Sequence, residues 1–146
     1  MIAQEIAKSI PVEKVILISS ATSAEAIPTY FKLLARLGIQ KLVPVKAFKR
    51  PNEVLYWLFG ITSAEERSLL AAIMADTDER FFSWAIESIP KWKNASTRDL
   101  VIQIHGTHDR ILAFKYADHS LPGGGHLMIV NRAKEISAII KKVLQP

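Results

Sequence analysis

Apolar residues recur at a spacing of four at the start of the chain. Ile2, Ile6 and Ile10, with Ala3 and Ala7 beside them, fall on one face of a helix predicted over 1–10. No N-cap precedes them, so the pattern starts without its usual beginning. Pro11 is expected to end that helix. Val12 to Ile18 then reads as a strand, and the unbroken run Val15-Ile16-Leu17-Ile18 predicts burial on both faces, as in a parallel sheet. Helix followed by buried strand is half of a βαβ unit.

Residues 22–95 carry helical periodicity with little strand signal. Thr22 with Glu25, and Ser63 with Glu66, fit the capping box, in which hydroxyl and carboxylate satisfy free backbone N–H groups. The pattern predicts helices from Tyr30 to Leu37, stopped by Gly38, and from Asn52 to Phe59, stopped by Gly60. Two more run from Ala64 to Ala75, with Leu69, Leu70, Ile73 and Met74 inward, and from Asp78 to Ile89, before Pro90. Leu100 to His105 reads as a second buried strand and 115–121 as a short third one. Asn131 is placed to cap a last helix whose buried stripe is Ala133, Ile136, Ile139, Ile140 and Val143, with Lys141 and Lys142 at its negative end. The fold class is therefore α/β, with three mostly parallel strands, flanking helices and a helical block between the first two strands.

Composition narrows the function. At 146 residues, 49% hydrophobic and 23% charged, the chain is one globular domain's worth. It has no cysteine, which excludes disulfides and thiolate metal sites and fits a cytoplasmic location. The net charge is +5, but the basic residues are spread out. The densest group, Lys46, Lys49 and Arg50, reads as a solvated face rather than a nucleic-acid surface. No apolar run reaches the roughly 18 residues of a membrane span, and Met1-Ile2-Ala3-Gln4-Glu5 has no signal-peptide character.

The chemistry lies in the last third. The strand Leu100 to His105 runs into Gly106-Thr107-His108-Asp109, a turn bearing an acid. Further on, Pro122-Gly123-Gly124-Gly125-His126 is a glycine loop bearing a histidine, and a helix follows. Asp109 in such a place either orients a catalytic imidazole or bonds its own loop backbone. His126 is either a general base or a capping or core histidine, and its three glycines open backbone conformations closed to other residues. His105, His108 and Asp109 raise a metal site of the form His-x-x-His-Asp, though a tight turn does not readily bring both imidazoles to one ion. Gly123-Gly124-Gly125 lacks the Lys-Ser/Thr of a phosphate loop.

Three segments resemble the α/β-hydrolase superfamily, with the similarity running over the whole chain. Ile104-His105-Gly106-Thr107-His108-Asp109-Arg110 is similar to the family's acid-bearing loop. Gly123-Gly124-Gly125-His126-Leu127-Met128 is similar to its histidine loop. Met1-Ile2-Ala3-Gln4-Glu5-Ile6-Ala7 resembles the helix that follows its nucleophile elbow. One position departs: the family often has a proline where Ala113 stands. The resemblance implies that 1–21 and 96–146 form part of the hydrolase core and 22–95 its helical cap. It makes Asp109 the triad acid and His126 the base, and places the serine about four positions before Met1.

No serine within the chain has glycine two positions before and after it. Ser19 and Ser20 follow a strand but lack the glycines that make room for an elbow. The expectation is the C-terminal part of a serine hydrolase acting on an ester or related acyl bond, without its nucleophile and inactive alone. Such a chemistry calls for no cofactor and no metal. Its partners would be a small apolar acyl substrate once the site is completed, and a second copy or the N-terminal half. The rival is a non-enzymatic half-domain that pairs with a partner chain along its strand edge. Tyr56, Trp57, Phe59, Phe81, Phe82 and Trp84 are either acyl-pocket lining or packing within the cap.

Overall fold

The computed structural model describes residues 1–38, 49–94 and 100–145. Lys46 and residues 95–99, where the cap is expected to rejoin the core, lie outside the described residues. A three-stranded parallel sheet in the order β1-β2-β3 organises the rest: β1 (Val15–Ile18), β2 (Val101–Gly106) and β3 (His119–Leu121). Val15 pairs with Val101 and Ile18 with Ile104, while Ile104 pairs with His119 and Gly106 with Leu121. The sheet is α/β in class, as the pattern predicts, but its outer strands are shorter than predicted.

Side chains alternate across β2. Ile104 faces one side, where it forms the main core with Leu121, Met128 and Ile136, and Ile16, Ile18, Ile139 and Ile140 pack against them. Gln103 and His105 face the other side, and both are buried. A strand with one apolar and one polar buried face has a reason other than packing for its polar residues, since unpaired buried polar groups cost about 1–3 kcal/mol each.

Helix α1 (Ile2–Ala7) ends well before Pro11. Its fully buried residue is Gln4, whose Nε2 donates to the Thr22 carbonyl at 2.6 Å. Ile2, Ile6 and Ile10 remain 52%, 49% and 52% exposed. Between β1 and β2 lie α2 (Thr29–Arg36), α3 (Glu53–Phe59), α4 (Ala64–Asp76) and α5 (Glu79–Ser88). The Ser63–Glu66 capping box forms in full at the start of α4. The one expected at Thr22 does not, because a short 3-10 turn, Ala24–Ala26, begins there at Ser23 without a side-chain cap. Gly60 ends α3 in the left-handed conformation, with φ 73°. In α4 only Leu70 of the expected inner stripe is buried, and Leu69 and Ile73 are exposed.

The C-terminal helix is split. Asn131 ends α6 (Met128–Asn131) rather than capping the next helix, and α7 (Ala133–Leu144) starts after Arg132 without a side-chain cap. Arg132 instead donates to the Pro122 carbonyl and pairs with Glu135. That bond ties the start of α7 to the glycine loop. Among the described residues, no helix is long and apolar enough to cross a membrane.

Candidate active site

Asp109 and His126 meet at the C-terminal end of the sheet, where ligand sites of open parallel sheets lie. Each gets there by local chain geometry. Beyond β2 the chain turns at once, with Asp109 N–H donating to the Gly106 carbonyl. The Asp109 carboxylate then divides its work. Its Oδ1 accepts from the backbone N–H groups of Ile111 and Leu112, both at 2.9 Å. Its Oδ2 accepts from His126 Nδ1 at 2.8 Å. The carboxylate thus bonds its own loop backbone with one oxygen and an imidazole with the other.

The glycine loop brings His126 to this carboxylate by backbone contact. A Cβ on Gly106 would collide with the Gly124 carbonyl, which accepts from His108 N–H at 2.9 Å. A Cβ on Gly125 would lie 3.0 Å from the Gly60 Cα, and Leu127 N–H donates to the Phe59 carbonyl beside it. Of the three loop glycines, only Gly123 has a positive φ, 74°. Gly124 and Gly125 are thus needed for close approach rather than for unusual backbone angles, which corrects the sequence-based expectation for two of the three.

The Asp109 side chain is wholly buried and that of His126 is 22% exposed. Burial pushes the Asp109 carboxyl up. The His105 and His126 imidazoles and the Leu112 N–H outweigh it and hold the group well below the usual carboxylate range. An ionised carboxylate only accepts, so His126 carries a proton on Nδ1. The Phe59 ring stands edge-on to the imidazole at 5.4 Å between centroids. Nε2 makes no hydrogen bond among the described residues, and His126 lines a cavity of about 450 Å3. Most of its wall is apolar: Ile27 and, from α2, Phe31 and Leu34; Ile86 and Ile89 at the end of α5; and Ile111 beside Asp109.

The cap aromatics expected as candidate lining do not line this cavity. Trp57, Phe81 and Trp84 are half exposed. Tyr56 lies beneath the Arg67 guanidinium and Trp57 beneath that of Arg110. Phe59 alone of that group reaches the site, against His126.

Ser19 and Ser20 do line it. Ser19 takes a left-handed φ of 45°, rare for a residue with a side chain, and its buried Oγ has no hydrogen-bond partner among the described residues. Its N–H still extends the sheet by donating to the Ile104 carbonyl. The helix an elbow requires does not follow at once: the short 3-10 turn Ala24–Ala26 comes first and α2 begins only at Thr29.

His105 is the residue sequence reasoning undervalued. It stands on β2, the strand the pattern predicts, and is 3% exposed. Its Nε2 donates to the Leu112 carbonyl at 2.8 Å and lies 3.3 Å from Asp109 Oδ2. His108 points elsewhere, its Nδ1 3.1 Å from Thr107 Oγ1. The two imidazoles of the His-x-x-His-Asp pattern thus have separate partners, and no metal-binding cluster occurs among the described residues. A signal was available: Gln103 and His105 are the polar members, two apart, of an otherwise apolar strand.

Comparison with protein-family models, curated proteins and solved structures finds no match to this chain.

Proposed function

We propose that this chain carries the acid and base of an α/β-hydrolase-type serine hydrolase acting on an ester or related acyl bond. Asp109 holds the His126 tautomer, and His126 Nε2 takes the proton of a serine hydroxyl and returns it to the leaving group. The observation that carries this reading is the 2.8 Å bond from His126 Nδ1 to a fully buried carboxylate, with the other ring nitrogen left free at an apolar cavity. The nucleophile and one oxyanion donor belong to a strand–turn–helix segment ahead of α1 in this reading. The resemblance of Met1 to Ala7 to the helix after an elbow supports that order.

The test is the reading frame ahead of the Met1 codon. A G-x-S-x-G about four codons upstream is expected, and the longer product should hydrolyse short acyl esters and take up a fluorophosphonate probe. The 146-residue chain alone should take up none. Probe attached at Ser19 of that chain would place the nucleophile inside it and overturn this part of the reading.

One observation favours a second reading, a binding half-domain without activity. β1 is an edge strand that pairs only with β2 among the described residues, and the Ile2, Ile6 and Ile10 face next to it is half exposed. A separate partner chain that forms a stable complex and contributes no hydrolytic activity would favour it.

A further inference from the structure

We infer that His105 is a positioning residue for the acid of this site: it clamps the Leu112 peptide and faces the Asp109 carboxylate, so that Oδ2 stays aimed at His126. The inference rests on Asp109 and His126 being acid and base.

The geometry is that of a relay with every member fixed. Gln103 Nε2 donates to the Ser20 carbonyl at 2.9 Å and lies 3.4 Å from His105 Nδ1. Gln103 is itself held, because its backbone N–H donates to Asp118 Oδ2 at 2.7 Å. With Nδ1 facing an amide donor, the His105 proton sits on Nε2. There it meets the Leu112 carbonyl at 2.8 Å and Asp109 Oδ2 at 3.3 Å. The shorter distance gives the bond to Leu112, while the same N–H dipole faces the carboxylate. The Leu112 N–H in turn donates to Asp109 Oδ1. His105 therefore grips, through the one residue Leu112, the turn that grips the acid.

A second cavity, of about 370 Å3, lies behind this relay and is lined by Gln103, His105 and Leu112. His105 stands between that space and Asp109. A leucine would fill the gap without donating, and neither the turn nor the carboxylate would keep its partner. The titratable groups that face Asp109 are His105 from β2 and His126 from the loop after β3. The Arg110 guanidinium is turned to the Trp57 carbonyl and His108 to Thr107. Met1 lies at the wall of the His126 cavity.

The experiment is carbon-13 NMR of the Asp109 side-chain carboxyl against pH, in the full chain, H105L and H105Q, with urea unfolding of each as a folding control. Gln Nε2 stands where the imidazole Nε2–H stood; Leu offers nothing. In H105L the carboxyl should titrate about one pH unit higher than in the parent, because the N–H dipole facing it is lost and the Leu112 turn loosens. The His126 Nδ1–H resonance should also move downfield, since that donor then serves the carboxylate without a competitor. H105Q should stay close to the parent in both. Should H105L fail to fold, H105N carries the contrast with H105Q, because its shorter amide reaches Gln103 but not Leu112. A folded H105L, or H105N, that titrates with the parent would overturn the inference, as would an H105Q displaced as far as H105L. Neither readout needs hydrolysis. An inactive completed protein with a displaced H105L titration sinks the hydrolase reading and leaves the relay, and an active one with an unmoved titration does the reverse.

Discussion

The Asp109 carboxylate accepts from two backbone N–H groups with one oxygen and from His126 with the other. Replacing it by asparagine keeps the size and the Oδ1 acceptor but puts an amide donor in front of His126, which favours the wrong tautomer. In a hydrolase completed by its serine, D109N should lower kcat by about 10^4, as loss of the charge does in serine triads. Ester turnover by the longer product checks this. The same carboxyl gives a stability signature. Its folded value lies below the unfolded value near 3.9. The stabilisation it supplies is therefore complete above about pH 5 and fades as pH falls through the carboxylate range. Urea midpoints of the parent and D109N should differ at pH 7, and the gap should narrow steadily as the pH falls below about 4. A constant gap would mean that the charge plays no part. Asp109 and His126 were legible in the sequence because glycines and strand punctuation frame them. The part played by His105 was not: its strand is readable from the apolar run, but its partners Leu112 and Asp109 meet it only where the chain turns back after β2.

Among the elements, the helical block was the most legible and its inward faces the least. Of the caps read from the sequence, the box at Ser63 forms and those at Thr22 and Asn131 do not, while Asn52 and Asp78, read as the first residues of their helices, are their N-caps. S63A should cost about 1 kcal/mol by urea or thermal unfolding. T22A should stay within about 0.5 kcal/mol, since no capping box forms there. Which side of α4 is buried depends on neighbours, and Leu69 and Ile73 illustrate the error that periodicity alone allows. The aromatics of α3 and α5 were read as pocket candidates from residue type. The cavity instead takes aliphatic residues from the ends of α2 and α5, beside Phe31. Loop glycines are a third case. G106A drives a methyl into the Gly124 carbonyl, a rigid neighbour, and should cost about 3 kcal/mol or more, whereas a substitution at Gly38 meets nothing within 4 Å. The difference between G106A and G38A in thermal midpoint tests this, with the φ of 69° at Gly38 setting the smaller, purely conformational cost.

At the scale of the whole molecule, the sheet is one-sided in its connections. β1 has an unpaired edge among the described residues, and Ile2 and Ile6 of the neighbouring α1, with Ile10 just beyond it, are half exposed. At high concentration the chain alone should self-associate, and I6K with I10K should weaken that association in light scattering without changing the far-UV spectrum. A monomer at all concentrations would contradict the open-edge account. The three parallel strands and the helices around them were readable from runs of apolar residues, but strand lengths were not, since pairing partners fix where a strand ends. The glycine crossings at Gly60–Gly125 and Gly106–Gly124 bind the end of α3, the end of β2 and the histidine loop into one block with no side chains between them. Mechanically, that block behaves as a single casting. A movement that lifts the end of α3 carries the imidazole with it, so the cavity can widen without disarming His126 only by displacement of α2 and the end of α5 on its opposite wall.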